Sequence, residues 1–257
     1  MKLKPLWPLL ISLAFISCNK QDDSKIISLE GHFIPAQSVE IKPLVEGILS
    51  EIHFLDGAHV EKGELLFTID KAPYEEKLEA AHLKKLVILK KMQIAAENAD
   101  RYRSLLLHSY IQESDYRQSL LELTLHETAL VESDAEIRFL QLQVNNCRIV
   151  APFTGVIGKH YIDKGSLIHK EPLALLNEVD PLYVDFFVDE SFFASLNNLL
   201  KTESNPTILI NDSVRASLLF LDNTISNNKV LLRAQIENKE GKFCPGQKAF
   251  GKVTLPR

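Results

Sequence analysis

One stretch of this chain, Ala72 to Asn146, limits what the remainder can become. It is long and polar, holds no glycine, and carries proline only at Pro73, at its start. The sequence predicts two helices there, running out and back. Ala72 to about Leu107 forms the first, His108 to Glu113 the tip, and Ser114 to about Asn146 the return. Arms of about 35 residues reach roughly 50 Å each. Asp70 reads as the N-cap of the first helix, with Glu75 and Glu76 suiting its dipole, and Ser114 as the cap of the second. In the return arm Leu123, Leu130, Ile137 and Val144 recur every seventh residue, with His126, Ser133 and Leu140 at the partner seam positions. The outgoing arm offers Leu78, Ala81, Leu86, Leu89, Ala96 and Leu106. A stripe this narrow fits a two-stranded antiparallel coiled coil better than a helix in a large core. Lys84, Lys85, Lys90, Lys91, Glu97 and Arg101 then form its solvated outer face.

The segments flanking this insertion resemble each other. Gly47 and Gly57 share their spacing with Gly155 and Gly165, a repeat of period about 108 residues. Val60 corresponds to Ile168, Leu49 to Ile157, and His53 to Tyr161. Each half reads as short β elements with turn signals at Asp56-Gly57 and at Asp163-Lys164-Gly165. Gly47, Gly57, Gly155 and Gly165 are all expected at turns whose φ other residues adopt poorly. Neither half has enough apolar residues for a core alone, so the two are predicted to pack together as one pseudo-symmetric sandwich.

After Asp180-Pro181 the pattern changes. Leu182–Val188, Thr207–Ile210, Val214–Phe220, Val230–Ile236 and Lys248–Thr254 read as strands, with a short helix over Glu190–Leu200 capped by Asp189. Joined by an early strand over Ile26–Phe33, they predict a small antiparallel barrel with one helix across an opening. The expected fold class is therefore mixed α and β and elongated: a split β sandwich, which resembles lipoyl carrier domains (lipoyl-like), an inserted antiparallel coiled-coil α-hairpin, and a small antiparallel β-barrel. Its expected divisions are 1–18, 19–25, 26–38, 39–71, 72–146, 147–179 and 180–257.

The N-terminus suggests export. Lys2 and Lys4 precede a short apolar run, Leu6 to Ile16, that is too short to span a bilayer and reads as a signal peptide. It ends Phe15-Ile16-Ser17-Cys18, which resembles a bacterial lipobox, with Phe15 where Leu is usual. That resemblance implies lipidation of Cys18, followed by a polar tether from Asn19. The alternative is a plain signal peptide or uncleaved anchor with an incidental cysteine. Cys147 and Cys244 form no CxxC pair and read as buried thiols. A net charge of −5 gives no basic face for nucleic acid, and two methionines are too few for a soft-metal site.

In this order the pieces resemble the periplasmic adaptor subunits, or membrane fusion proteins, of tripartite efflux pumps in the HlyD-like superfamily. The carrying motifs are Lys42-Pro43-Leu44-Val45-Glu46-Gly47-Ile48, Ala151-Pro152-Phe153-Thr154-Gly155-Val156-Ile157-Gly158, Asp180-Pro181-Leu182-Tyr183-Val184 and Phe243-Cys244-Pro245-Gly246-Gln247. They span about residues 38 to 254 and are most similar to adaptors of resistance-nodulation-division (RND) pumps. The resemblance implies a non-enzymatic adaptor without cofactors on the periplasmic face of the inner membrane, held there by its lipid anchor. The implied partners are an inner-membrane RND transporter, an outer-membrane channel and further copies of the chain, as trimer or hexamer. The tip residues of such adaptors map here onto Arg101, Leu105 and Gln112, the last replacing a serine. A simpler reading is that Arg101 and Leu105 only close the helical pair. Family members continue past the barrel into a membrane-proximal domain, expected here to be absent or vestigial. That leaves a second reading, an adaptor-derived lipoprotein scaffold without pump coupling.

Other chemistry is poorly supported. Lys71, in Ile69-Asp70-Lys71-Ala72, resembles the modified lysine of lipoyl carrier domains, but a helix begins where a free turn is required. Eight histidines are scattered without metal-ligand spacing, and no nucleophile elbow or phosphate loop occurs.

Overall fold

The computed structural model describes residues 25–255. The leader and Cys18 lie outside the described residues. The chain is mixed α and β, and the described residues fall into two compact units. One comprises Phe33–Tyr183 and Ile236–Gln247, the other the remainder.

In the first unit, strands β2 (Ser38–Ile41), β3 (Gly47–Ile52), β4 (His59–Val60) and β5 (Leu65–Ile69) precede helices α1 (Ala72–Leu107) and α2 (Glu113–Asn146). Strands β6 (Arg148–Val150), β7 (Gly155–Ile157), β8 (Leu167–Ile168) and β9 (Ala174–Asn177) follow. Two four-stranded sheets result, β2-β9-β7-β4 and β6-β5-β3-β8. Each takes two strands from either side of the helices, so the repeat halves interlock. The pairing obeys the repeat: Gly47 faces Ile168 in one sheet and Val60 faces Gly155 in the other. The turns follow suit. Gly57 donates its N–H to the Ile157 carbonyl at 3.0 Å, and Gly165 donates to Leu49 at 2.8 Å. Both halves fill one core, in which Leu49, Leu66, Phe67, Ile69, Ile157, Ile168, Leu173 and Leu176 are fully buried. Each such side chain contributes about 1.5–3 kcal/mol.

Two of the four glycines expected at turns are not there. Gly57 and Gly165 occupy left-handed turns, at φ 79° and 90°. Gly47 and Gly155 instead open strands β3 and β7, Gly47 still at a φ of 156° that other residues rarely adopt. At Gly155 the requirement is space, because a Cβ would lie 2.3 Å from the Asn177 carbonyl oxygen on the neighbouring strand.

Helices α1 and α2 pack on each other antiparallel. Lys84 reaches Glu136 at 2.8 Å and Lys85 reaches Asp134 at 2.7 Å, so the layers mirror about the turn at Tyr110. On α2 the shielded positions are Tyr116, Ser119, Leu123, His126, Leu130, Ser133, Ile137, Leu140 and Val144, which alternate steps of three and four as the sequence predicts. On α1 the strict three–four series runs through Leu78, Ala81, Lys85, Ile88, Met92, Ala95, Ala99, Tyr102 and Leu106. Leu86, expected in that seam, is exposed. The outgoing helix meets its partner through Leu78, Ile88, Met92, Tyr102 and Leu106 together with small alanines and the Lys85 stem, while Leu83, Leu86, Val87 and Ile94 point elsewhere. The cap assignments also shift. Lys71 occupies the cap of α1, while the Asp70 carboxylate, one residue earlier, accepts the Ala72 N–H at 3.0 Å.

The second unit is a closed six-stranded barrel in the order β1-β10-β13-β12-β11-β14. Its strands are β1 (Lys25–Pro35), β10 (Leu182–Asp189), β11 (Thr207–Ile210), β12 (Val214–Ser226), β13 (Lys229–Ile236) and β14 (Lys248–Leu255), the ends of several extending beyond the unit. Strict alternation along β10, β13 and β14 sends Val184, Phe186, Leu232, Ala234 and Val253 into the core. Strand β12 runs six residues past Phe220, where the sequence reading stopped it, to a turn at Asn227-Asn228 with both φ values positive. Helix α3 (Phe193–Thr202) buries Leu196 and Leu199. The 3₁₀ turn before it is capped by Asp189, whose carboxylate accepts the Ser191 N–H at 2.9 Å. That bond holds the Asp189 pKa below its ordinary value.

Candidate functional site

The tip of the helical pair is the candidate site, and its geometry follows from how α1 ends. Ser109 adopts φ 59°, a left-handed conformation that usually falls to glycine. Its N–H bonds to the Leu106 carbonyl and that of Tyr110 to Leu105, both at 3.0 Å, which closes the last turn. The His108 ring Nδ1 lies 2.8 Å from the Ser104 carbonyl, and the ring stacks on Tyr110.

The chain then enters α2 through Gln112, not Ser114. The Gln112 side chain accepts the Asp115 N–H, while the Asp115 carboxylate accepts the Gln112 N–H at 3.1 Å. This reciprocal pair satisfies two otherwise free donors. Ser114 therefore lies inside the helix, where its hydroxyl has no capping duty. Arg117 clamps Glu113 at 2.7 Å on the same turn.

Arg101 and Leu105 are one helical turn apart and share a face of α1. Arg101 is exposed and Leu105 half-buried. Gln112 lies across the turn with its amide engaged in the cap. The tip's exposed apolar surface comes from Leu107 and Tyr110, 78% and 76% accessible, which sequence reasoning did not single out. Nothing in the residue pattern marks Ser109 as left-handed; Leu107 points outward from the last turn of α1, and Tyr110 follows the left-handed turn. Beside the tip runs a shallow polar groove lined by Asn98, Tyr102, Asp115, Gln118 and Glu122.

At the other end, the pair joins the two-sheet body without slack. The Tyr74 hydroxyl donates to the Glu46 carbonyl at 2.6 Å, and burial pushes its pKa up. Cys147, fully buried beneath α2, has its thiol pKa raised for the same reason. Cys244, expected to be buried, is exposed on a turn, and both thiols are free. Lys71 is tied to Glu75 at 2.8 Å within the first turn of α1, as a helix residue rather than a free hairpin tip. One polar clasp joins the two repeat halves. His160 donates its backbone N–H to Asp56 at 3.0 Å, and its ring Nδ1 lies 2.8 Å from the same oxygen. These hydrogen bonds hold the Asp56 pKa below its ordinary value. No helix among the described residues is long and apolar enough to cross a membrane.

Comparison with known proteins bears on what such a tip serves. The multidrug efflux pump subunit AcrA of Escherichia coli (strain K12) is 26% identical over 235 residues, spanning 85% of this chain and 59% of AcrA. The multidrug resistance protein MdtA of Proteus mirabilis (strain HI4320) is 28% identical over 247 residues, spanning 89% of this chain and 58% of MdtA. The chain thus spans under two thirds of the length of these relatives. Among solved structures, the membrane fusion protein Spr0693 from Streptococcus pneumoniae R6 shares the fold, with a TM-score of 0.68 at 12% identity over 90% of this chain and 99% of that one. So does a MacA-MexA chimera containing the Pseudomonas aeruginosa MexA α-hairpin domain, with a TM-score of 0.64 at 15% identity over 90% of this chain and 82% of that one. A family model described as RND MFP, barrel-sandwich hybrid domain, matches residues 37–183. More than half of the chain lies in that match, and the chain belongs to the RND membrane fusion protein family.

Proposed function

We propose that this chain is a non-enzymatic periplasmic adaptor that links an inner-membrane RND transporter to an outer-membrane channel for export of small molecules. The observation that carries the reading is an antiparallel helical pair inserted between two neighbouring strands of a two-sheet body, in a member of the RND membrane fusion protein family. The names of its relatives, a multidrug efflux pump subunit and an efflux pump periplasmic linker, point the same way. In this reading α1 and α2 form a coiled coil over 72–146, held by a lipoyl-like sandwich of 39–71 and 147–179. The barrel of 180–257, joined by the strand over 26–38, rests against the transporter. A signal peptide of 1–18 and a tether of 19–25 place Cys18 as the lipidated anchor at the inner membrane. Several copies surround a conduit, since one pair of helices cannot enclose one.

The tip then meets the channel. Arg101, Leu105 and Gln112 are joined in this role by Leu107 and Tyr110, whose exposure has no structural use within the chain. A photo-crosslinking residue at Tyr110 in cells should capture an outer-membrane channel protein. Adducts confined to the chain's own helices, with dye accumulation unchanged on gene deletion while the transporter is present, would refute the adaptor role.

A further inference from the structure

The two-sheet body leaves a pocket of about 330 Å³ where one edge strand of each sheet reaches the surface. Strand β2 pairs only with β9 and β6 only with β5, so each has one side without a strand neighbour. They are the first strands of the two repeat halves. Strand β2 and the loop after it supply one part of the lining, and Asn146, β6 and Pro152 the other. Ile41 and Ile149, both buried core side chains, line it from within.

The lining is unusually apolar for an exposed edge. Leu44 is 78% accessible and Val150 45%. The repeat makes the position of Leu44 conspicuous. Pro43 and Pro152 correspond between the halves, yet the residues that follow them part ways. Phe153 packs against the core, whereas Leu44 lines the pocket.

The charges at the pocket do not cancel. Glu40 and Lys42 pair with each other at 2.7 Å. Arg148 is exposed and has neither an ion pair nor a side-chain hydrogen bond among the described residues. One guanidinium is therefore left over beside aliphatic surface. Its fork of donors matches the two oxygens of a carboxylate, and a hydrocarbon chain attached to that carboxylate would cover the apolar lining.

We propose that this pocket binds a small free aliphatic carboxylate, its head group on Arg148 and its chain on Leu44 and Val150. The volume lies at the low end of ligand sites, roughly 300–1,000 Å³, which suits a single short chain. The single excess positive charge matches a carboxylate better than a phosphate monoester, which carries close to two negative charges near neutral pH. The site is separate from the tip and goes beyond the adaptor reading. Asn146 ends α2 and Arg148 begins β6, so the bound chain would touch the joint at which the arm returns to the body.

Titration calorimetry of the full-length protein with sodium decanoate, kept below its micelle concentration, tests this. One decanoate should bind per chain. Decyltrimethylammonium, with the same tail and the opposite charge, should bind at least about tenfold more weakly. Arg148→Gln should weaken decanoate binding by about tenfold or more, as the loss of a charge-assisted pair does. Leu44→Ser should weaken it as well. Glu40→Gln releases Lys42 and should tighten it. All three positions are exposed, so urea midpoints should stay at the wild-type value and a loss of binding is not a loss of fold. Decanoate binding unchanged in Arg148→Gln, or equal binding of the cationic amphiphile, would show adsorption on apolar surface and overturn the proposal. Absence of saturable decanoate binding would overturn it too. If decanoate does not bind and Arg148→Gln or Leu44→Ser alters self-association, the two edge strands face a second copy and the carboxylate site is refuted.

Discussion

Replacing Ser133 with alanine should stabilise this protein, an uncommon direction for a buried substitution. Ser133 is 2% accessible, in the seam of α2 level with the layer between Lys85 and Ile88. Its hydroxyl oxygen is the one buried side-chain polar atom without a hydrogen-bond partner among the described residues. An unpaired buried hydroxyl costs about 1–3 kcal/mol. Alanine removes that cost, leaves only a hydroxyl-sized gap, and improves helix propensity by a few tenths of a kcal/mol. The expected gain is about 2 kcal/mol, or about 4–8 °C in Tm for a chain of this size. Ser119 supplies the control. It lies in the same helix and seam at 7% accessibility, but its hydroxyl donates to the Tyr116 carbonyl at 2.7 Å. Ser119→Ala should therefore be neutral or destabilising by up to about 1 kcal/mol. Urea unfolding followed by far-ultraviolet circular dichroism reads both, with midpoints shifting and the slope unchanged. If the two variants shift alike, or Ser133→Ala lowers the midpoint, the orphaned hydroxyl is not what governs this seam.

Asn238 offers the opposite case: its amide donates to the Val179 and Phe243 carbonyls at 3.0 and 2.9 Å, its carbonyl accepts the Phe243 N–H, and its own N–H bonds Asp180. Asn238→Ala should cost about 2–4 kcal/mol in the same unfolding assay. Asp56, whose pKa is depressed by His160, contributes stability that is fully present above its unfolded value of 3.8 and lost as pH falls through the lower folded value. Acid titration of Asp56→Asn should therefore show a shallower loss of stability below that pH than the wild-type chain. Alkylation of the native protein near neutral pH should label Cys244 promptly and Cys147 only after denaturation, because burial both shields the Cys147 thiol and raises its pKa. Rapid native labelling of Cys147, read by peptide mass, would show that the base of α2 opens.

The repeat was legible because its markers are rigid in spacing. Gly47 with Gly155 and Val60 with Ile168 can be matched on paper, and the sheets pair them crosswise. The reason for Gly155 was not legible. Gly155 avoids a carbonyl on a strand close only in space, which local sequence does not encode. The α2 seam could be read because leucine, isoleucine and valine recur in it. The α1 seam could be read only in part: Leu78, Ala81 and Leu106 lie in it as expected, but Lys85, Ala95 and Ala99 sit where large hydrophobes were sought, and Leu83, Leu86, Val87 and Ile94 advertise a different face. At the tip, Ser114 looked like the better cap by residue type, yet Gln112 holds the role because Asp115 stands three residues on to return the bond. Tyr110 follows the left-handed backbone at Ser109, which composition does not reveal.

Strand β5 delivers the chain to α1, and β6 receives it from α2. These two strands are hydrogen-bonded neighbours, Thr68 lying opposite Arg148. The arm thus departs and returns through adjacent rungs of one ladder, and no part of the body depends on how far it travels in between. Arm length is then an independent dial. Cutting one seven-residue repeat from each helix at matched levels keeps every seam layer in phase and shortens the reach by about 10 Å. A chain built this way can refit its reach to a longer or shorter span by trimming or adding paired repeats, with its folded base left untouched.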